Sequence, residues 1–268
     1  MTYRSILTLL DDTPECAART RAAVALGLAA RCHLVGVAPT RVDCIAQSGD
    51  TAQLAHAASA MRQFDSACTE AGIGSFVTMV EDADCREAFA AHVNASDLVI
   101  LTQPPAADNG DFDASFIEEA VLASARPILV LPHEGADAHT ALGKRILVAW
   151  DGSREATRAI VDALPLLRGA AHVHLVGWHR NASDERDRLS ERLARARSWL
   201  KRHDVSAVVR LEPCDGDIAS SMLSRAADLD CDLIVMGAYG PSRFGDRGQV
   251  SVSRRVLAAT TVPVMMSH

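Results

Sequence analysis

The chain is short of the features that would mark a membrane, secreted or metal-built protein. No apolar run approaches the length of a bilayer-spanning helix, and the opening MTYRSILTLLDD is too short, and too acidic at its end, for a signal peptide. Cysteine occurs at Cys16, Cys32, Cys44, Cys68, Cys85, Cys214 and Cys231, an odd number with no Cys-x-x-Cys pair, so neither a disulfide framework nor a zinc finger is signalled. A surplus of positive charge is missing as well: the formal net charge is -7 and the pI near 5.8, which argues against a surface built for phosphate backbones. No Gly-x-Ser-x-Gly elbow, His-Glu-x-x-His pair or Walker Gly-x4-Gly-Lys-Ser loop occurs, which leaves no recognisable nucleophile or general base. These absences predict a soluble cytoplasmic protein with reduced, mostly buried cysteines. It should bind neither nucleic acid nor membrane, and any hydrolysis it performs should be slow.

What is present is enough apolar residue for buried cores, 49% over 268 residues, so one large or two medium domains are expected. Ile6 to Leu10 is an apolar run closed by Asp11-Asp12. An alanine-rich segment opened by Pro14 follows, with Ala18, Ala22, Ala25 and Ala29 at helical spacing. Strands are then predicted at His33–Val37, Phe76–Val80, Asp97–Leu101 and Pro127–Leu131, with helices at Thr51–Ala71, Cys85–Asn94 and Phe116–Ser124 between them.

From Lys144 the pattern restarts. Ile146 to Asp151 repeats the first strand and its terminal acid 140 residues on; His174 to Gly177 repeats His33 to Gly36 after 141; Asp232 to Val235 repeats Asp97 to Ile100 after 135; Pro263-Val264 repeats Pro127-Ile128 after 136. Two tandem βα domains follow, 1–134 and 143–268, joined by a linker around Glu134–Asp137. Strands separated by helices demand parallel pairing with right-handed crossovers, hence an open, doubly wound, Rossmann-like sheet in each copy. Ligands of such sheets sit beyond the carboxyl ends of the strands where strand order reverses.

The stretch with the most chemistry is Asp232 to Ser253. DLIVM reads as a strand covered on both faces, Gly237 and Gly240 bracket a tight turn, and Ser251-Val252-Ser253 leads into a helix with Val252, Val256 and Ala259 at helical spacing. Strand, glycine loop and helix start together offer backbone N–H groups and a positive helix end to an anionic group such as phosphate. This spacing resembles the universal stress protein family, whose nucleotide-binding members carry Gly-x2-Gly-x9-Gly followed by Ser or Thr. Gly237, Gly240 and Ser251 match, and Val250 stands where the third glycine would be.

The resemblance implies strand order 3-2-1-4-5, so that strands one and four are neighbours and Asp151 faces Gly237 across one crevice. It also implies a cytoplasmic stress-response protein that binds ATP or AMP, with Mg when ATP is bound, and acts through protein partners. By that mapping the binding residues are Asp151, the backbone near Val176 to Trp178, Gly237, Gly240, Val250, Ser251 and Ser253. Asp151, Ser251 and Ser253 are equally suited to capping a helix with no ligand present. Valine at 250 suits neither positive φ nor close approach of a phosphate, so weak binding is expected. The first copy keeps Asp11 but runs from its fourth strand into Gln103-Pro104-Pro105, where both glycines are absent and proline removes N–H donors. A second reading is therefore kept: an interaction protein without nucleotide, whose two domains reproduce a family dimer in one chain, with dimers of tandem chains as a further assembly.

Two other constellations read more plainly. His172 and His174 alternate on one strand and share a face, but lack a third ligand, so packed or surface histidines are the simpler reading. The Arg-rich run from Asp184 to Arg202 carries Leu189, Leu193, Ala196 and Leu200 as a core-facing stripe, with its charges on the solvated face.

Overall fold

The computed structural model describes residues 2–40, 50–103, 114–133, 142–180, 183–240 and 251–268. The chain divides into two units, Thr2–Thr140 and Ala141–His268. In the first, β1 (Ser5–Leu9), α1 (Pro14–Ala30), β2 (His33–Pro39), α2 (Asp50–Glu70), β3 (Phe76–Glu81), α3 (Cys85–His92), β4 (Leu98–Thr102), α4 (Ala114–Ala123) and β5 (Ile128–Leu131) alternate. The second runs β6 (Arg145–Ala149), α5 (Arg154–Asp162), α6 (Leu164–Gly169), β7 (His172–His179), α7 (Ser183–Arg202), β8 (Ala207–Pro213), α8 (Ile218–Asp228), β9 (Leu233–Gly237), α9 (Val252–Ala259) and β10 (Val264–Ser267). Among the described residues no helix is long and apolar enough to cross a membrane.

Within each unit the strands are parallel and ordered as the resemblance implies, β3-β2-β1-β4-β5 and β8-β7-β6-β9-β10. The central strands are buried on both faces, as continuous apolar runs such as LVIL in β4 and LIVM in β9 require. The stripe on α7 is buried at Leu189, Leu193, Ala196 and Leu200.

The repeated aspartates have a structural use. Asp97 accepts the Arg4 and Ser5 N–H groups at 2.7 and 3.1 Å, and Asp232 accepts those of Gly143, Lys144 and Arg145 at 3.1, 2.9 and 3.0 Å. Each carboxylate thus holds the entry of its unit's first strand beside the fourth.

One anchor of the repeat differs from its sequence alignment. The ladders pair Leu7 with Val35 and Leu147 with His174, which makes Val35 and His174 equivalent, 139 residues apart rather than the 141 that the His-Leu-Val-Gly match suggests. The identical His-Leu-Val-Gly run sits two positions further along β7 than along β2, and because strand side chains alternate with period two, the slip leaves every face assignment unchanged.

Candidate functional site

The ladder between β6 and β9 pairs Ile146 with Leu233 and Val148 with Val235, so Asp151 and Gly237 leave neighbouring strands at the same end, where the strand order reverses. Asp151 is exposed, and its carboxylate accepts the Ser153 N–H at 2.8 Å. Ser153 is the cap of α5, its hydroxyl accepting the Ala156 N–H at 3.1 Å. Gly152 between them sits at φ +71°, left-handed backbone that glycine adopts without steric cost. Capping therefore falls to Ser153, and Asp151 stands at the rim of the crevice.

The two glycines serve helix packing. A Cβ on Gly237 would lie 2.4 Å from the Ala156 nitrogen and 2.5 Å from the Glu155 carbonyl carbon, so the first turn of α5 can press on the end of β9 only because residue 237 has no side chain. A Cβ on Gly240 would lie 2.7 Å from Glu155 Oε2. Glu155 is 5% exposed, and the Arg154 guanidinium lies 3.4 Å from its other oxygen. A buried carboxylate thus stands against the turn that the sequence motif offers to phosphate. An acid in a helix's first turn is ordinary, which is why the sequence gives no warning of it.

The amides of the turn are also engaged. Tyr239, at φ +54°, donates its N–H to the Ser253 hydroxyl at 3.0 Å, and the Ala238 N–H goes to the Ser267 carbonyl at 2.9 Å. Ser253 is buried, and Ser251 caps α9 by accepting the Arg254 N–H at 3.2 Å. Both serines therefore have structural partners. Val176 lies in the body of β7, three residues before the strand ends at His179, and its carbonyl accepts the Trp150 N–H at 2.8 Å. The ladder with β8 continues past Trp178 to His179. Val250 lies outside the described residues.

Residues 143–268 match the sequence profile of the universal stress protein family. The second unit is a universal stress protein domain. The whole chain is similar in fold to a universal stress protein from Archaeoglobus fulgidus DSM 4304, with 16% identity and a TM-score of 0.75 over 98% of this chain and 97% of that one. It is also similar to a functionally unknown protein from Pseudomonas aeruginosa PAO1, with 17% identity and a TM-score of 0.63 over 99% and 92%. No curated protein matches the sequence.

The first unit has the stress-protein fold with a different switch point. Arg19 of α1 is 1% exposed. Its guanidinium donates to the Leu9 carbonyl at 3.2 Å and the Thr102 hydroxyl at 2.9 Å, and pairs with the Asp11 carboxylate, which also accepts the Thr13 N–H at 2.9 Å. One side chain thus joins the carboxyl ends of β1 and β4 and neutralises the acid that would face a ligand. Gln103 accepts the His133 N–H at 3.2 Å, while Pro104 and Pro105 lie outside the described residues. Arg19 lies among Cys16, Ala18, Ala23 and Leu26 on the buried side of α1.

For an adenine nucleotide the described residues of the second unit divide. Asp151 offers an exposed carboxylate at the rim of the crevice. The phosphate end does not fit, because Glu155 is an anion already in place and the Ala238 and Tyr239 amides are taken.

Proposed function

We propose that this protein is a cytoplasmic stress-response regulator whose second unit binds an adenine nucleotide, ATP or AMP, as a weak regulatory ligand, while the first unit binds none. The observation that carries the reading is the exposed carboxylate of Asp151 at the switch point, beside the strand that ends at Gly237, in a unit that matches the universal stress protein family. The occupied phosphate end is the reason the ligand would be weak. Asp151 would accept from the ribose hydroxyls, and Mg would accompany ATP. The reading requires no catalytic base, and slow turnover at most goes with it. Protein partners, with dimers of tandem chains as one assembly, would transmit the ligand state.

A second reading is favoured by Glu155: an interaction protein that takes no nucleotide, the glycine turn being filled by its own carboxylate. Mass spectrometry of protein purified without added ligand, followed by calorimetric titration with AMP and with ATP and Mg, separates the two. Weak but saturable binding lost in Asp151→Ala supports the first reading, and no heat at all supports the second. Val250→Gly is expected to tighten ATP by about 1 to 2 kcal/mol, the worth of one or two hydrogen bonds to charged oxygens.

A further inference from the structure

The other end of the second sheet holds a cationic cluster with unmet hydrogen-bonding capacity. Arg145 and His172 open their strands as register partners, and His174 follows two residues along β7 on the same side. On β8, Val208 pairs with His174 and Arg210 with Val176, so Arg210 shares that face. The C-terminal part of α8 covers it: Arg145 Nε donates to the Leu229 carbonyl at 3.1 Å, and Arg225 reaches Glu212 at 2.7 Å.

His174 is 7% exposed, and neither ring nitrogen has a partner among the described residues; the buried Nε of Arg210 has none either. Burial first, and then the positive charges of Arg210, Arg145 and His172, hold the His174 imidazole below its ordinary pKa. The acids nearby are committed elsewhere. Glu212 is paired with Arg225, and Asp232 accepts three backbone N–H groups. Asp230 is exposed on the turn before Cys231, whose thiol burial pushes up to about 11, so it stays uncharged. The corresponding positions of the first unit are Ser5, His33, Val35 and Met79, so the fold itself does not demand this set.

A buried polar group without a partner is costly, and groups of one sign gathered around it ask for a counter-charge. We propose that Arg145, His172, His174 and Arg210 form a binding site for a small tetrahedral oxyanion, phosphate or sulfate, entered from the exposed His172 end and remote from the glycine turn. His174 donates to the anion through one ring nitrogen and Arg210 through its guanidinium. Because a bound anion favours the protonated imidazole, binding strengthens as pH falls.

The test is thermal unfolding of the full chain in phosphate and in sulfate against chloride at matched ionic strength, followed by tryptophan fluorescence, with histidine-ring nitrogen spectra recorded in parallel. The expected result is a rise in Tm on the order of a few degrees for saturating anion, larger near pH 6 than near pH 8, with displaced His174 resonances. Arg210→Gln, on a half-buried position of an edge strand, should lose both effects, and added AMP should alter neither. An equal rise in wild type and Arg210→Gln would show a general salt effect and overturn the site. Unmoved His174 resonances would overturn it too, since the imidazole would then be served by water.

Discussion

Arg19 and Ala159 stand 140 residues apart at the same place in the first helix of their units, yet those helices lie differently on their sheets. α1 rests on β1 and β4, with Arg19 spanning their ends; α5 rests on β9 and β10, its first turn pressed against Gly237. Where Gly237 stands in the second unit the first has Thr102, whose hydroxyl receives the guanidinium. Both crevices are therefore occupied from within, one by a cation that cancels Asp11 and one by the anion of Glu155, which leaves Asp151 exposed. The difference shows that loss of the glycines in the first copy is half of its change. The other half is a side chain that takes the place of a ligand.

The largest expected effect comes from breaking the first lock. Arg19→Met leaves the Asp11 carboxylate, 17% exposed, without its partner and should cost about 3 to 5 kcal/mol. All three tryptophans, Trp150, Trp178 and Trp199, belong to the second unit, so the loss should appear in far-UV circular dichroism during urea unfolding. Asp11→Asn in the same chain should recover most of it. If Arg19→Met unfolded like wild type, the plug would be ornamental and the comparison would fail.

Breaking the second contact should cost less. Gly237→Ala drives a Cβ into the backbone of α5 and should destabilise the second unit by about 1 to 3 kcal/mol, read by tryptophan fluorescence in urea. Gly240→Ala meets the end of a flexible carboxylate, which can swing, so it should cost less than Gly237→Ala; the reverse order would contradict the assigned packing.

Glu155→Gln keeps the shape and removes the charge. ATP binding should tighten about tenfold, close to 1.4 kcal/mol, and AMP binding by less. Equal gains for adenosine and ATP would mean that the carboxylate does not face the phosphate end.

The smallest effect separates the units by pH. His174 has its folded pKa lowered, first by burial and then by its cationic neighbours, so it stays neutral in the fold while the unfolded chain takes a proton below about 6.5. Its contribution to the stability of the second unit is thus intact above that pH and lost as pH falls toward the folded value. The first unit has Val35 there and lacks this dependence. In chloride, urea midpoints of His174→Val at about pH 7.5 and about pH 5.5 should lie closer together than those of wild type. An unchanged gap would place the proton elsewhere.

Element order was legible because apolar runs and helical spacing are written locally, and the 135, 136 and 140-residue offsets carried the repeat into register. The second strand slipped by two because a four-residue likeness cannot specify which partner it meets across a ladder. At the site, the caps were legible at Ser153 and Ser251, since serine before a helix has a local use. Glu155 and Arg19 were not, because what distinguishes them is burial against residues more than 80 positions away, Gly240 and Thr102. The same holds for His174, whose emptiness of partners is a property of the folded face.

The two locks also constrain how one unit could have become the other. Threonine at 237 collides with α5 unless the helix withdraws, and arginine at 159 would be forced into a position now 1% exposed. Each substitution is harmful alone and useful only with its partner. A lineage passing from one arrangement to the other must therefore change both positions together, or first shift the helix by substitutions elsewhere, which makes this pair a point of strong epistasis inside the repeat.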